Sequence, residues 1–176
     1  DNAGHVVFGV YPGGVRTVSS AGTFNDGAWH QVAATLSSDG MKLWVDGIQV
    51  GSRSDTTSGQ DYKGYWRVGG DNLSGWPSQP TSAYLAGSID EVAVYPVALT
   101  RSQVRAHFTA SGRTLNTTPL PSDAYGVAVD ADAPTFFWRL GDSSLTAADS
   151  SGNEVPGTYY NGVTQGVSST VAPGSA

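Results

Sequence analysis

The sequence predicts an all-β fold, an antiparallel β-sandwich with one short helix. Its 176 residues contain 23 Gly and 9 Pro, a density of turn formers that cuts the chain into short segments. Apolar residues come in brief runs between those breaks, and the clearest helical spacing lies in residues 100–111. With 39% hydrophobic residues the chain is long enough to bury one real core.

Taken in order, His5 to Tyr11 and Val15 to Ser19 flank Pro12-Gly13-Gly14 and predict a hairpin. Trp29 to Leu36 is apolar on both faces, as a central strand covered on two sides would be. Ser38-Asp39-Gly40 supplies the next turn, since Gly tolerates the positive φ that such turns need. Lys42 to Val50 surrounds Asp46-Gly47, a pair that reverses or bulges a strand, and Lys42, Trp44 and Asp46 share its more polar face. Ser52 to Lys63 is a polar surface loop. Tyr65 to Gly69 is expected as a strand, with Trp66 and Val68 on one face.

The loop from Asp71 to Ser82 carries Trp76, Pro77 and Pro80 and is too long for a hairpin turn; loops of this size are often functional. Tyr84 to Pro96 is expected as the central strand. Its alternation puts Asp90, Val92 and Val94 on one face and Ile89, Glu91, Ala93 and Tyr95 on the other. A carboxylate on an apolar face needs a partner, so Asp90 calls for a metal or for the amides of a neighbouring loop. Thr100 and Gln103 form a capping box, Val104, His107 and Phe108 share a helical face, and Gly112 ends the helix. Arg113 to Pro121 reads as a connector, Ser122 to Asp132 as a short helical turn stopped by Ala133-Pro134, and Thr135 to Gly141 as a new strand.

A formal charge of −6 with only 9 Lys and Arg leaves no basic patch for nucleic acid. Cysteine is absent, which excludes disulfides and thiolate metal sites and is compatible with export. No apolar run approaches the roughly 20 residues of a membrane span. The first residues read as mid-domain sequence, which predicts a piece of a longer protein.

The segments Asn25 to Ala33, Met41 to Gly47 and Tyr84 to Thr100, in that order, closely resemble the laminin-G-like, concanavalin A-like jelly rolls of secreted bacterial multidomain proteins. The resemblance covers residues 5–112. It resumes at 135–176 with the family's opening strand, Thr135 to Gly141, and with an Asp-x-Ser-Gly-Asn turn at Asp149 to Asn153. The family's end thus precedes its beginning. The expected organisation is the C-terminal part of one repeat at 1–112, a linker at 113–134 and the N-terminal part of the next repeat at 135–176; a circular permutant is the alternative. Strands left uncovered by such a cut would favour self-association.

The resemblance also frames the chemistry. Related glucanases use two carboxylates about 5 to 5.5 Å apart, yet Glu91 and Glu154 sit in different motifs and the Glu-x-Asp-x-x-Glu strand is missing, with Ser88 and Ala93 in its outer places. No enzyme is expected. His5, His30 and His107 lack metal-ligand spacing, and no Gly-x-Ser-x-Gly elbow occurs. Calcium is the cofactor the resemblance implies, with Asp90, Asp149 and Asn153 as its oxygen ligands. For a sugar, Trp76, Tyr62, Tyr65 and Trp44 offer rings to stack on, and Asp71, Asn72 and Gln79 offer polar partners. Trp76 as an anchor packed on the sheet is the competing reading, and Trp29, Trp66 and Trp138 are expected in the core. The expected role is a secreted or cell-surface module that binds carbohydrate or an extracellular protein in adhesion. A structural module of a surface or phage tail fibre is the first alternative, and a glycoside hydrolase relative the second.

Overall fold

A computed structural model describes residues 1–115, 121–132, 134–153 and 155–165. The chain forms two compact units, Asp1–Phe108 and Thr109–Ala176.

In the first unit, β1 (Val7–Val10) and β2 (Arg16–Ser19) form an antiparallel hairpin in which Phe8 faces Val18. A three-stranded antiparallel sheet follows, β3 (Val32–Ser37), β4 (Gly40–Val45) and β5 (Ile48–Arg53), in sequence order. The hairpin packs over β4 and β5. Val18, Met41 and Leu43 are buried between the two sheets, with Val6, Phe8, Val10, Leu36 and Val50 around them. This is the expected β-sandwich: alternation along β4 aims Met41 and Leu43 at the hairpin.

The turns follow from their residues. Asp46 and Gly47 both have positive φ, 52° and 78°, the conformation that two-residue hairpin loops favour because it matches strand twist. The β4–β5 register slips between Leu43 and Trp44, leaving Val50 as the extra residue of a bulge. At Gly40 a β-carbon would lie 2.2 Å from the carbonyl oxygen of Arg53, so glycine is obligatory there.

Helix α1 (Arg101–Ala110) begins at the expected capping box. The Thr100 amide donates to Gln103 Oε1 at 2.8 Å, and the Gln103 amide donates back to Thr100 Oγ1 at 3.3 Å. Val104 and Phe108 are buried, whereas His107 is exposed and stacks on Tyr95. A second helix, α2 (Ala124–Ala131), lies in the second unit, inside the expected linker, and Asp123 caps it by accepting the Gly126 amide. It is fastened by an ion pair between Asp123 and Arg139. Two short strands, β6 (Thr146–Ala147) and β7 (Gly157–Thr158), pair antiparallel.

Several expectations fail. Residues 85–97 form no strand: no ladder of the first unit includes them, and Glu91 at φ 52° breaks the alternation. Asp90, Val92 and Val94 are all exposed, so Asp90 shares no apolar interior and needs no buried partner. Residues 65–69 are likewise not a strand, and Trp66 is 83% exposed. Trp29 and Trp138 are exposed as well, because neither finds an apolar surface to cover it fully. The strand expected at 135–141 is reduced to one bridge, Trp138 to Asp149, beside Leu140 at φ 61°.

Candidate functional site

The loop at 71–83 is closed at its neck. Gly70 and Tyr84 form an antiparallel bridge, the Asp71 amide donates to Ala83 O at 3.0 Å, and the Leu85 amide donates to Gly69 O at 2.8 Å. Ends that close together over a compact surface loop make it Ω-like. Inside, Asn72 Oδ1 accepts the Ser74 amide at 3.0 Å, the Trp76 amide donates to Leu73 O, and Gly75 and Ser78 take positive φ.

Two anchors tie the loop to the hairpin side. Asn2 Oδ1 accepts the amide and hydroxyl of Thr81 at 3.0 and 3.2 Å. The ring of half-buried Trp76 lies against Gly9 of β1, where a β-carbon would come within 2.4 Å of Trp76 Cζ3. Trp76 therefore anchors the loop on the sheet.

A cleft of about 140 Å³ opens in this loop, lined by Asp71, Asn72, Gln79, Thr81 and Ser82 with Leu73, Pro80 and Ala83. Asp71, Asn72 and Gln79, the polar residues expected from sequence, do converge. Thr81, Ser82 and the neighbouring exposed Tyr84 were not read from sequence; the two prolines turning the return limb back were the available signal. Arg67 Nη1 donates to Asp71 Oδ1 at 2.7 Å, so the cleft's carboxylate has its cation beside it. Tyr62 and Tyr65 are exposed, Tyr65 by 94%, but neither lines the cleft. Trp44 is only 3% exposed, in the middle strand of its sheet and paired with Ala33, so its ring is not offered to solvent.

Of the three expected calcium ligands, Asp149 does not fit a cation. Asp149 is buried, and both of its oxygens are already occupied. Oδ1 accepts the amides of Phe137 and Ser151 at 2.8 and 2.9 Å, while Oδ2 accepts the Ser151 hydroxyl and the Val155 amide at 2.8 and 3.0 Å. Burial pushes its pKa up, but these four donors outweigh it and the net shift is downward. Asn153 uses Nδ2 to donate to the carbonyls of Pro134 and Thr135. The Asp-x-Ser-Gly-Asn turn thus staples residues 134–137 to 149–155. Asp90, exposed in the first unit, accepts the Glu91 amide at 2.9 Å. Among the described residues no three His, Asp or Glu side chains converge in a metal-holding group. Glu91 is exposed, and Glu154 lies outside the described residues.

No curated protein matches the chain. A solved structure, an S-layer domain-containing protein (residues 221–444) from Clostridium thermocellum, is similar at 27% identity with a TM-score of 0.41, over 60% of this chain. The match covers 52% of that chain, so only about half of its length is represented here. The laminin-G-like family model of the concanavalin A-like lectin/glucanases superfamily matches residues 1–105, which contain the sandwich, the 71–83 loop and the start of α1. The chain belongs to that superfamily.

Proposed function

We propose that the protein is a non-catalytic, extracellular carbohydrate-binding module, and that the cleft of the 71–83 loop takes one sugar unit. The observation that carries the reading is the convergence of a carboxylate, two amide side chains and two hydroxyls, Asp71, Asn72, Gln79, Thr81 and Ser82, on one cleft. Such groups bond sugar hydroxyls, and Tyr84 at the neck of the loop carries an exposed ring. At about 140 Å³ the cleft is far below the 300–1,000 Å³ of pockets that enclose drug-sized ligands. It suits a terminal unit presented from outside. Retaining hydrolysis requires two facing carboxylates about 5 to 5.5 Å apart, and Glu91 stands outside this cleft.

The test is a glycan array followed by titration of wild type, Asn72→Ala and Gln79→Ala. Binding weakened tenfold or more in both variants, about 1.4 kcal/mol, supports the reading; glycan binding unchanged in both overturns the placement of the site.

A structural role, with copies contacting one another, is favoured by a different observation. Leu85, Val92, Val94 and Val97 are all exposed along one segment that pairs with no strand of the first unit. In that reading the turn at Asp149 to Asn153 opens a following copy. Defined oligomers in light scattering without glycan binding would select it.

A further inference from the structure

His30 is gripped from both sides. Its Nδ1 lies 2.7 Å from Asp46 Oδ2, and its Nε2 lies 3.0 Å from Asp26 Oδ1. Ionised carboxylates only accept, so both contacts are hydrogen bonds only when both ring nitrogens carry protons. Each carboxylate is also fixed by backbone: Asp46 Oδ1 accepts the Gln31 amide and Asp26 Oδ1 the Ala28 amide, at 2.9 and 2.8 Å. Phe24 meets the imidazole edge to face at 5.1 Å between centroids. On the far side of the turn, Arg105 of α1 donates from Nε to Gly47 O at 3.3 Å. The charged groups that face the ring are thus Asp26 from its own loop and Asp46 from the β4–β5 turn, while Arg105 of the helix reaches that turn at Gly47.

We propose that His30 is a proton-operated latch: as an imidazolium it ties the 24–30 loop to the β4–β5 turn, and as neutral imidazole it releases Asp26. A neutral ring has one N–H and can serve one carboxylate. Asp46 keeps it, because that bond is shorter and the Asp46 side chain is 25% exposed against 59% for Asp26. Burial alone would disfavour the cation, but the bonds to Asp46 and Asp26 outweigh it, so the pKa of His30 rises above its ordinary value. A raised value means that the latch's stabilisation is fully present below the ordinary histidine pKa and is lost as pH climbs through the raised one.

Nitrogen-15 NMR of the histidine rings, recorded on the intact chain through a pH titration, tests this. The expected result is a His30 ring protonated at both nitrogens, titrating above the ordinary range of histidine, with its midpoint moved down in Asp26→Asn. Melting temperature should fall across that midpoint in wild type and stay flat in the same window in His30→Gln. A His30 midpoint at or below about 6.5, or one that Asp26→Asn leaves unmoved, overturns the latch. Asp26 is the more exposed partner, so its variant keeps the test available if His30→Gln does not fold.

Discussion

The Trp76 ring occupies the space that a side chain at Gly9 would need: its Cζ3 would stand 2.4 Å from a β-carbon there. One tryptophan in the loop and one glycine in β1 therefore set where the cleft sits on the sandwich. Gly9→Ala should push Trp76 out and loosen the 71–83 loop, destabilising the unit by roughly 1–3 kcal/mol through overpacking. Sugar binding should fall together with the protection of the Asp71 and Leu85 amides in hydrogen exchange. Retained protection of both amides in the variant would refute the anchor.

Gly40 makes a second obligatory contact. A β-carbon there would lie 2.2 Å from Arg53 O and 2.7 Å from Ser54 Cα, both backbone, at φ 100°. Neither neighbour can rotate aside. Gly40→Ala is expected to cost about 2 kcal/mol or more, read as a lower denaturation midpoint at unchanged denaturant sensitivity.

How much of this was legible follows from how local each signal is. The hairpins at Pro12-Gly13-Gly14, Ser38-Asp39-Gly40 and Asp46-Gly47, and the cap at Thr100, rest on residues adjacent in sequence, and all four formed. Alternation in 84–96 named which side chains share a face, but a ladder also needs a partner, and no alternation supplies one. The tryptophans misled for a related reason: Trp29 and Trp66 are large and apolar, yet burial depends on a facing surface the sequence does not display. Loop length singled out 71–82, and Asp71, Asn72 and Gln79 line a cleft within it. The orientation of Trp76 was hidden because Gly9, which decides it, lies in another element. The resemblance nominates Asp149 as a metal ligand, and the staple it forms was hidden because three of its four donors are backbone amides, which leave no side-chain signature.

Asp149 should behave as a staple. Asp149→Ala leaves the amides of Phe137, Ser151 and Val155 without their acceptor, and a buried unsatisfied donor costs about 1–3 kcal/mol. We expect a loss of roughly 3 kcal/mol, with Trp138 fluorescence reporting it, since the indole donates to Val155 O. Calcium and chelator should leave the melting temperature of wild type alike; a calcium-dependent rise would contradict the donor count. Because the folded pKa of Asp149 is depressed, its contribution is present above the unfolded value and is lost as pH falls through the folded one.

Gly126 reverses the usual helix rule. In an exposed helix interior Gly→Ala stabilises by about 1 kcal/mol, but a β-carbon here would lie 2.2 Å from Pro121 Cβ and 2.6 Å from Arg139 Nη1. Gly126→Ala should therefore destabilise α2 and break the Asp123–Arg139 pair that fastens it. Arg139, followed by the Gly126 amide, holds the Asp123 pKa down to about 2. A depressed carboxylate stabilises above its unfolded pKa and stops doing so as pH drops toward the folded value. In carboxyl-carbon NMR, Asp123 should titrate near that low value in wild type and move up toward the ordinary aspartate range in Gly126→Ala. A variant that keeps the low value, with α2 intact by circular dichroism, would show that the close approach at Gly126 does not govern the pair.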